Sequence, residues 1–233
     1  SGALALLKKL RGSSKPSSET GEKKMRMLRR LPKILKYIPG KAQDLRAWFL
    51  VMQYWLGGTD ENIEAMLRFL ISRYSHVDSW QGVSAEPPRE YPNVGVYHPS
   101  LKGRISEDLR DLPVVKNPKA TIGLLLMRSY VLSGDTAHYD RVIRGFEERN
   151  IRIIPAFAGG LDGRPAIDKY FADGSGSSID TLVSLTGFSL VGGPAYNDTE
   201  AAVETLSKLN VPYISAHPLE FQTLSQWENS STG

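Results

Sequence analysis

Short apolar stretches alternate with amphipathic helical stretches along the chain beyond about residue 93. The most constraining of them is Thr121–Met127, which is apolar at successive positions, as expected of a central strand buried on both faces. A strand of that kind needs a layer of helices on each side of its sheet. The sequence therefore predicts an α/β domain over residues 93–233, built on a parallel sheet of the Rossmann or flavodoxin-like type.

The same alternation predicts the remaining elements of this domain. Further strands are expected at Val94–Tyr97, Ile151–Phe157, Asp180–Leu185 and Val211–Ala216. Helices are expected at Asp135–Arg149, Ala166–Phe171 and Thr199–Leu209, where apolar residues recur at helical spacing. Strands and helices that alternate in this way form parallel sheets with helices on both faces.

A helical segment is predicted ahead of this domain, over residues 28–80. Apolar residues recur at helical spacing from 41 to 57, and Gly57-Gly58 stops that run. Thr59 is a suitable N-cap for a second helix, since Asp60 and Glu61 follow it in the first turn. Two such helices predict a helical hairpin. Residues 78–92 are polar and contain three prolines, which places a domain boundary there.

The N-terminal segment, residues 1–27, is predicted to be basic and flexible. Residues 1–46 hold thirteen Lys or Arg against three Asp or Glu. A basic arm contacts nucleic acid or anionic lipid in some proteins, but a solvated linker explains the same charge. No aromatic residue that could stack on a base occurs before Tyr37, so no nucleic-acid partner is predicted. No apolar run is long enough to span a membrane.

Ligands of open parallel sheets bind beyond the carboxyl ends of the strands, which selects the candidate binding residues. These candidates are His98, Arg128, Ser129, His138, Gly159, Gly160, Thr186, Gly192, Gly193, Glu220 and Gln222. A tight turn is the competing explanation for each glycine. One hypothesis is that His98, His138 and His217 converge in space, with Glu220 beside them, while isolated histidines with structural roles are the alternative.

Several well-known catalytic motifs are missing. The sequence has no phosphate-binding Gly-x-x-x-x-Gly-Lys-Ser/Thr loop, no Gly-x-Gly-x-x-Gly and no Gly-x-Ser-x-Gly. It has no cysteine, and its four histidines are not spaced as metal ligands on one element. The residues by themselves therefore predict a ligand-binding edge without naming a reaction.

Several longer stretches carry a family resemblance, in this order along the chain. They are LPKILKYIP at 31–39, KAQD at 41–44, QYWLGG at 53–58, GLLLMRS at 123–129, SGDT at 133–136, IPAFAGGLD at 154–162, SLTGFSLVGGPA at 184–195 and LNVPY at 209–213. In this order they resemble the large subunits of magnesium chelatases and their cobaltochelatase relatives. The KAQD and WLGG elements favour the magnesium enzymes.

The resemblance implies a function in (bacterio)chlorophyll synthesis. Members of this family are far longer, so we expect this chain to be an internal fragment. They bind the substrates protoporphyrin IX and Mg²⁺, and they work with an AAA+ ATPase subunit that hydrolyses ATP and with a third chelatase subunit. The residues that insert the metal are expected outside this fragment, so no catalytic residue is assigned. A cytoplasmic protein is expected, with peripheral membrane association as an option.

Three alternatives stay open on the sequence. The first is the large subunit of a cobaltochelatase, which inserts Co²⁺ into a cobalamin precursor. The second is a non-catalytic α/β module of the periplasmic or sugar-binding type. The third is a scaffold whose helical hairpin docks the AAA+ partner, a role that is compatible with membership of a chelatase.

Overall fold

A computed structural model of the chain describes residues 31–172, 176–193, 196–219 and 222–231. The chain forms two compact units, one ending at Tyr91 and the other starting at Pro92. The described part of the first unit is helical, and the second unit contains the sheet. The basic segment predicted over residues 1–27 lies outside the described residues.

The first unit is built on a helical hairpin. Helix α1 spans Ala42–Gly57 and helix α2 spans Asp60–Tyr74. Gly58 follows α1 in the left-handed conformation, with a φ of 64°, which favours glycine at the end of a helix. The Thr59 hydroxyl accepts a hydrogen bond from the Asn62 amide nitrogen at 3.3 Å and so caps α2. The predicted hairpin and its cap are confirmed.

Buried polar contacts hold the proline-containing connector against this hairpin. The side-chain amide of Asn62 donates to the Arg89 carbonyl at 2.9 Å, and its oxygen accepts from the Arg89 amide at 2.8 Å. The Tyr54 hydroxyl donates to the Glu86 carbonyl. Asn62 and Tyr54 are both 2% exposed, so these bonds satisfy polar groups that water does not reach.

The second unit is centred on a six-stranded sheet. Its strands are β1 (Val94–Tyr97), β2 (Ile105–Ser106), β3 (Thr121–Met127), β4 (Arg152–Ala158), β5 (Thr181–Ser184) and β8 (Tyr213–Ser215). Their order is β2-β1-β4-β3-β5-β8, and β4, β3, β5 and β8 are parallel. A separate antiparallel pair consists of β6 (Gly192–Gly193) and β7 (Tyr196–Asn197). The predicted α/β fold with a parallel sheet is confirmed for these four strands.

The direction of β1 differs from the prediction, which placed it in the parallel sheet. Strand β1 runs antiparallel to β4, with Val94 opposite Ala158 and Val96 opposite Ala156. A parallel partner requires a crossover connection, usually an α-helix. Between β1 and β3 the chain forms only β2 and a single 3₁₀ turn at Leu109–Asp111. The sheet is therefore mixed, with a parallel centre and an antiparallel edge.

Helices cover both faces of the sheet, as predicted. They are α3 (Arg128–Ser133), α4 (Ala137–Glu147), α5 (Arg164–Tyr170) and α6 (Thr199–Leu209). A short helix, α7 (Leu224–Glu228), follows β8 and is exposed. Side chains of α3 and α4 pack with Leu124 and Leu126 on one face. Side chains of α5 and α6 pack with Leu125 on the other face. These three leucines are at most 2% exposed, and burying each stabilises the fold by about 1.5–3 kcal/mol.

Two glycine-to-alanine substitutions are expected to have opposite effects on stability. A Cβ at Gly123, in the middle of β3, would lie 2.7 Å from Ile179 Cδ1 and 3.1 Å from Phe171 Cδ1. Gly123→Ala should therefore lower the free energy of unfolding by about 1–3 kcal/mol through overpacking. Gly145→Ala, inside α4 with no atom within 4 Å of the added Cβ, should raise it by about 0.5–1 kcal/mol. Chemical denaturation of both variants beside the parent protein measures these changes, and equal effects would contradict the close packing around β3.

Candidate functional site

The carboxyl ends of the parallel strands lie along one edge of the sheet. β3 comes first in the chain, and its two neighbours, β4 and β5, are the second and third parallel strands. The chain thus moves to one side of β3 and then to the other, with its connecting helices on opposite faces. Such a reversal leaves a crevice outside the strand ends, where open α/β sheets bind ligands. This carboxyl edge is the candidate site.

A small cleft opens at the carboxyl edge. Its polar lining comes from Asp162, Ser184, Thr186 and Ser189. The rest of the lining consists of Leu125, Leu126, Met127, Ala158, Gly160, Leu161, Gly163, Phe188 and Leu190. The free volume of 30 Å³ accommodates one or two water molecules. A pocket that encloses an organic ligand has roughly 300 Å³ or more, so this cleft by itself does not enclose one.

Backbone hydrogen bonds hold the loop after β4 against residues 190–192. The Gly163 amide donates to the Leu190 carbonyl at 2.9 Å, and the Gly192 amide donates to the Leu161 carbonyl at 3.0 Å. A Cβ at Gly163 would lie 3.2 Å from the Leu190 oxygen, so the two segments approach closely. Two predicted candidates, Gly160 and Gly192, are brought together here, one in each segment.

An ion pair fixes the start of α5 beside the cleft. The Asp162 carboxylate accepts hydrogen bonds from Arg164 Nε at 2.9 Å and from Arg164 Nη2 at 2.6 Å. The hydrogen bond with Asp162 raises the pKa of the Arg164 guanidinium. Neither residue was among the predicted candidates. The available signal was an Asp-x-Arg sequence in the loop after a strand, with Pro165 in the first helical turn.

Arg128, Ser129 and His138 lie where β3 leads into α3 and α4. Arg128 is half-buried, and its Nε donates to the Pro92 carbonyl at 2.8 Å. Ser129 is exposed. His138 is exposed at the start of α4, and its ring centroid lies 4.0 Å from that of Tyr139 and 5.7 Å from that of Tyr130. Tyr139 Oη accepts a hydrogen bond from the Met127 amide, so the start of α4 lies beside the end of β3. All three predicted candidates are therefore at the carboxyl edge.

Thr186 lies at the end of β5, as predicted. Its hydroxyl is 3.0 Å from that of Ser184, which is 1% exposed, and it accepts a hydrogen bond from the Phe188 amide at 3.3 Å. A Cβ at Gly187 would lie 4.0 Å from His217 Nδ1. His217 is thus next to the loop after β5, whereas His138 contacts tyrosine rings, so the described contacts do not join the two histidines.

The remaining candidates are less defined by the structure. Gly159 is exposed directly after β4, and Gly193 belongs to β6. Gln222 is half-buried and precedes α7, where Thr223 and Gln226 form a capping box. Glu220 lies outside the described residues, so its predicted position beside the histidines stays a prediction.

His98 is not at the carboxyl edge, and its predicted convergence with the other histidines is wrong. Because β1 is antiparallel to β4, it ends toward the opposite edge of the sheet. The His98 Nε2 atom is 3.1 Å from the carboxylate of Glu147, the last residue of α4, while His138 is near the first. Nine residues of helix separate these positions, which is about 13 Å. His98 is 4% exposed and packs within the fold.

A partly buried network of polar side chains lies beside His98. The Tyr97 hydroxyl donates to Asp140, and Arg104 Nη2 lies 2.6 Å from the same carboxylate. Burial, followed by the hydrogen bond with Asp140, raises the pKa of Tyr97 to about 12. These contacts connect the loop after β1 to α4. They stabilise the layer behind the candidate site and do not line the cleft.

The described residues contain no group of three or more His, Asp or Glu side chains arranged to hold a metal ion. None of the helices in the described ranges combines the length and the apolar character needed to cross a bilayer. The carboxyl edge itself presents polar side chains and glycine-containing loops.

Comparison with known proteins identifies the family. A family model described as CobN/Magnesium Chelatase matches residues 52–233, which is most of the chain. The chain belongs to the CobN/magnesium chelatase family. A second family model, described as a domain of unknown function (DUF3479), matches residues 1–49. The two matches adjoin within α1, so the helical hairpin of this family member spans both.

Similar proteins include the H-type magnesium-chelatase subunit of Cereibacter sphaeroides, 64% identical over 233 residues, and that of Rhodobacter capsulatus, 60% identical. Each alignment covers 100% of this chain, and the chain covers 20% and 19% of the two relatives. The chloroplastic ChlH subunit of Oryza sativa is 37% identical over 94% of the chain and 17% of that relative. This family member thus spans about a fifth of the length of these two bacterial relatives.

A solved structure shares the fold. It is the catalytic subunit of cobaltochelatase from Mycobacterium tuberculosis, with a TM-score of 0.52 and 19% identity. The match covers 78% of this chain and 14% of that one. At this identity the likeness concerns the fold alone, and it supports the α/β architecture of this member of the CobN/magnesium chelatase family.

The Tyr97 network makes stability depend on pH in alkaline solution. The pKa of Tyr97 is about 12 in the folded protein and about 10 in an unfolded chain, so folding favours the neutral phenol. Its contribution is complete below pH 10 and is lost as pH rises from about 10 to about 12. Unfolding free energies of the parent and Tyr97→Phe should therefore converge over this interval. Tyrosinate absorbance titrations of the parent and Tyr97→Phe locate the ionisation of Tyr97, because the variant lacks that residue's signal. If the signal missing from Tyr97→Phe titrates near pH 10 and not near pH 12, this assignment is contradicted.

Proposed function

We propose that this chain is an internal segment of the porphyrin-binding subunit of a magnesium chelatase, which inserts Mg²⁺ into protoporphyrin IX on the route to chlorophyll or bacteriochlorophyll. The observation that carries the proposal is the identity of 60–64%, across the whole chain, to relatives named as H-type magnesium-chelatase subunits. The fold adds a surface of suitable kind, because the carboxyl edge presents polar side chains and glycine loops where α/β sheets bind ligands.

In this proposal the segment forms one wall of the chamber around the macrocycle. A free volume of 30 Å³ does not enclose a tetrapyrrole, so other parts of the longer polypeptide complete the chamber. The ligand-facing residues are Arg128, Ser129, His138, Gly159, Gly160, Thr186, Gly192, Gly193 and Gln222, with Glu220 as a further candidate.

Arg128 has the clearest role among these residues. Protoporphyrin IX carries two propionate carboxylates, and a guanidinium at the edge of the sheet complements a carboxylate through charge-assisted hydrogen bonds. The bond from Arg128 Nε to the Pro92 carbonyl orients this side chain. The loop after β4 adds a backbone without side chains at Gly159 and Gly160, where the flat ring can approach closely.

The chemistry requires more than this segment. Insertion removes two pyrrole protons and strips tightly held water from Mg²⁺, so a base must lie near the ring. We place that base outside this chain, as the resemblance to the magnesium chelatases implies. Energy comes from ATP hydrolysed by an AAA+ partner subunit, with a third chelatase subunit completing the cytoplasmic enzyme. Docking of the ATPase by the helical hairpin is compatible with this function.

Binding measurements on the full-length subunit test the proposed wall. Arg128→Ala should weaken porphyrin binding by about tenfold, since one charge-assisted hydrogen bond is lost. Arg152→Ala is the matched control, because Arg152 is also half-buried but starts β4 at the opposite edge of the sheet. Tryptophan fluorescence quenching by a soluble porphyrin measures both affinities. Equal affinities for the two variants, with circular dichroism like that of the parent, would remove Arg128 from the site.

Metal insertion by the complete enzyme separates the magnesium and cobalt functions. With its partner subunits and ATP, the full-length subunit should insert Mg²⁺ into protoporphyrin IX and should not insert Co²⁺ into hydrogenobyrinic acid diamide. This expectation rests on the relatives at 60–64% identity, which are both named as magnesium-chelatase subunits. The cobaltochelatase structure is only 19% identical to this chain. Absorbance spectra of the two macrocycles report insertion, and activity in the cobalt reaction alone would overturn the proposal.

A further inference from the structure

The two edges of the six-stranded sheet are protected differently. At one edge, β2 is two residues long and is flanked by Arg104, Glu107 and Asp108. Short strands and charged neighbours are the means by which proteins prevent another strand from adding to an edge. At the other edge, β8 has no charged residue from Val211 to Ala216. Among the described residues, the β8 edge therefore lacks the charged side chains that flank β2.

The hydrogen bonds of β8 define which backbone groups face outward. The Pro212 carbonyl accepts from the Leu182 amide at 2.9 Å, and the Ala216 amide donates to the Ser184 carbonyl at 2.9 Å. In a parallel pair, alternate residues bond to the same neighbour, so Ile214 also faces β5. Tyr213 and Ser215 then point their N–H and C=O groups away from β5. Pro212 does not block that side, because its missing N–H belongs to the side facing β5.

Side chains near this edge are also more exposed than a central parallel strand allows. Ile214, which is in register with the buried Val183, is 53% exposed. Strands with helices on both faces are normally covered on both sides. The helix that follows β8 carries two exposed apolar residues as well, Leu224 at 67% and Trp227 at 46%. An apolar strand edge and an apolar helix thus occur together in the chain.

We infer that the outer edge of β8 pairs with a further parallel strand, supplied by the same polypeptide beyond Trp227. The inference rests on the proposed function in one respect, that the chain is a segment of a longer subunit. The first relative is about five times as long as this chain, since the chain covers 20% of it. The parallel strands lie in the order second, first, third, fourth, and one more right-handed crossover through α7 places a fifth strand beside β8.

Hydrogen exchange of single amides in the full-length subunit tests this pairing. The Tyr213 and Ser215 amides are expected to exchange at least about 100-fold more slowly than in an unfolded chain. The Ile214 amide is the internal control, because it faces β5 and is protected whether or not another strand is present. Fast exchange at Tyr213 and Ser215 beside a slow Ile214 would overturn the inference. Mass spectrometry with fragmentation to single residues provides this resolution.

A photo-crosslinking amino acid at position 214 identifies the occupant in the same protein. The expected cross-link joins this position to a peptide of the same polypeptide that lies beyond Trp227. A cross-link to a second copy or to a partner subunit, with protection that appears only on mixing, would also overturn the inference. Neither measurement involves a porphyrin, so the strand pairing can fail while the porphyrin-binding function stands, and the reverse.

Discussion

The burial of β3 on both faces is the constraint on which the second unit depends. Its residues Leu124, Leu125 and Leu126 point alternately into the two helical layers, and each is at most 2% exposed. A strand in this position has parallel neighbours on both sides, β4 and β5. The chain must therefore reverse its direction of winding at β3, and that reversal creates the carboxyl edge where the candidate residues collect.

Periodicity predicted most of the regular structure, because burial repeats at intervals that the sequence displays directly. The stripe of α1, the cap at Thr59 and the doubly buried β3 all follow from such local patterns. The direction of β1 does not follow from a local pattern. Four apolar residues form the same strand in either direction, and the outcome depends on the lack of a crossover helix before β3. The wrong prediction for His98 has the same origin.

The candidate site was predictable where a residue follows a parallel strand and unpredictable where it depends on a distant partner. Arg128, Gly160 and Thr186 lie at strand ends, so the topology alone brings them to one edge. Asp140 meets Tyr97 across 43 positions of sequence, and no local pattern connects them. The Asp162–Arg164 pair is local, but its importance is visible only once residues 190–192 are found against the same loop.

Two independent features support the proposal that this fold is one part of a larger structure. The cleft is far smaller than a macrocycle, and the β8 edge leaves the backbone of Tyr213 and Ser215 facing outward. A self-contained α/β enzyme encloses its ligand and covers its strand edges, since unpaired edges promote aggregation. The same fold also occurs in a cobaltochelatase subunit at 19% identity. Under the proposed function, the backbone architecture by itself therefore does not select between the two metals.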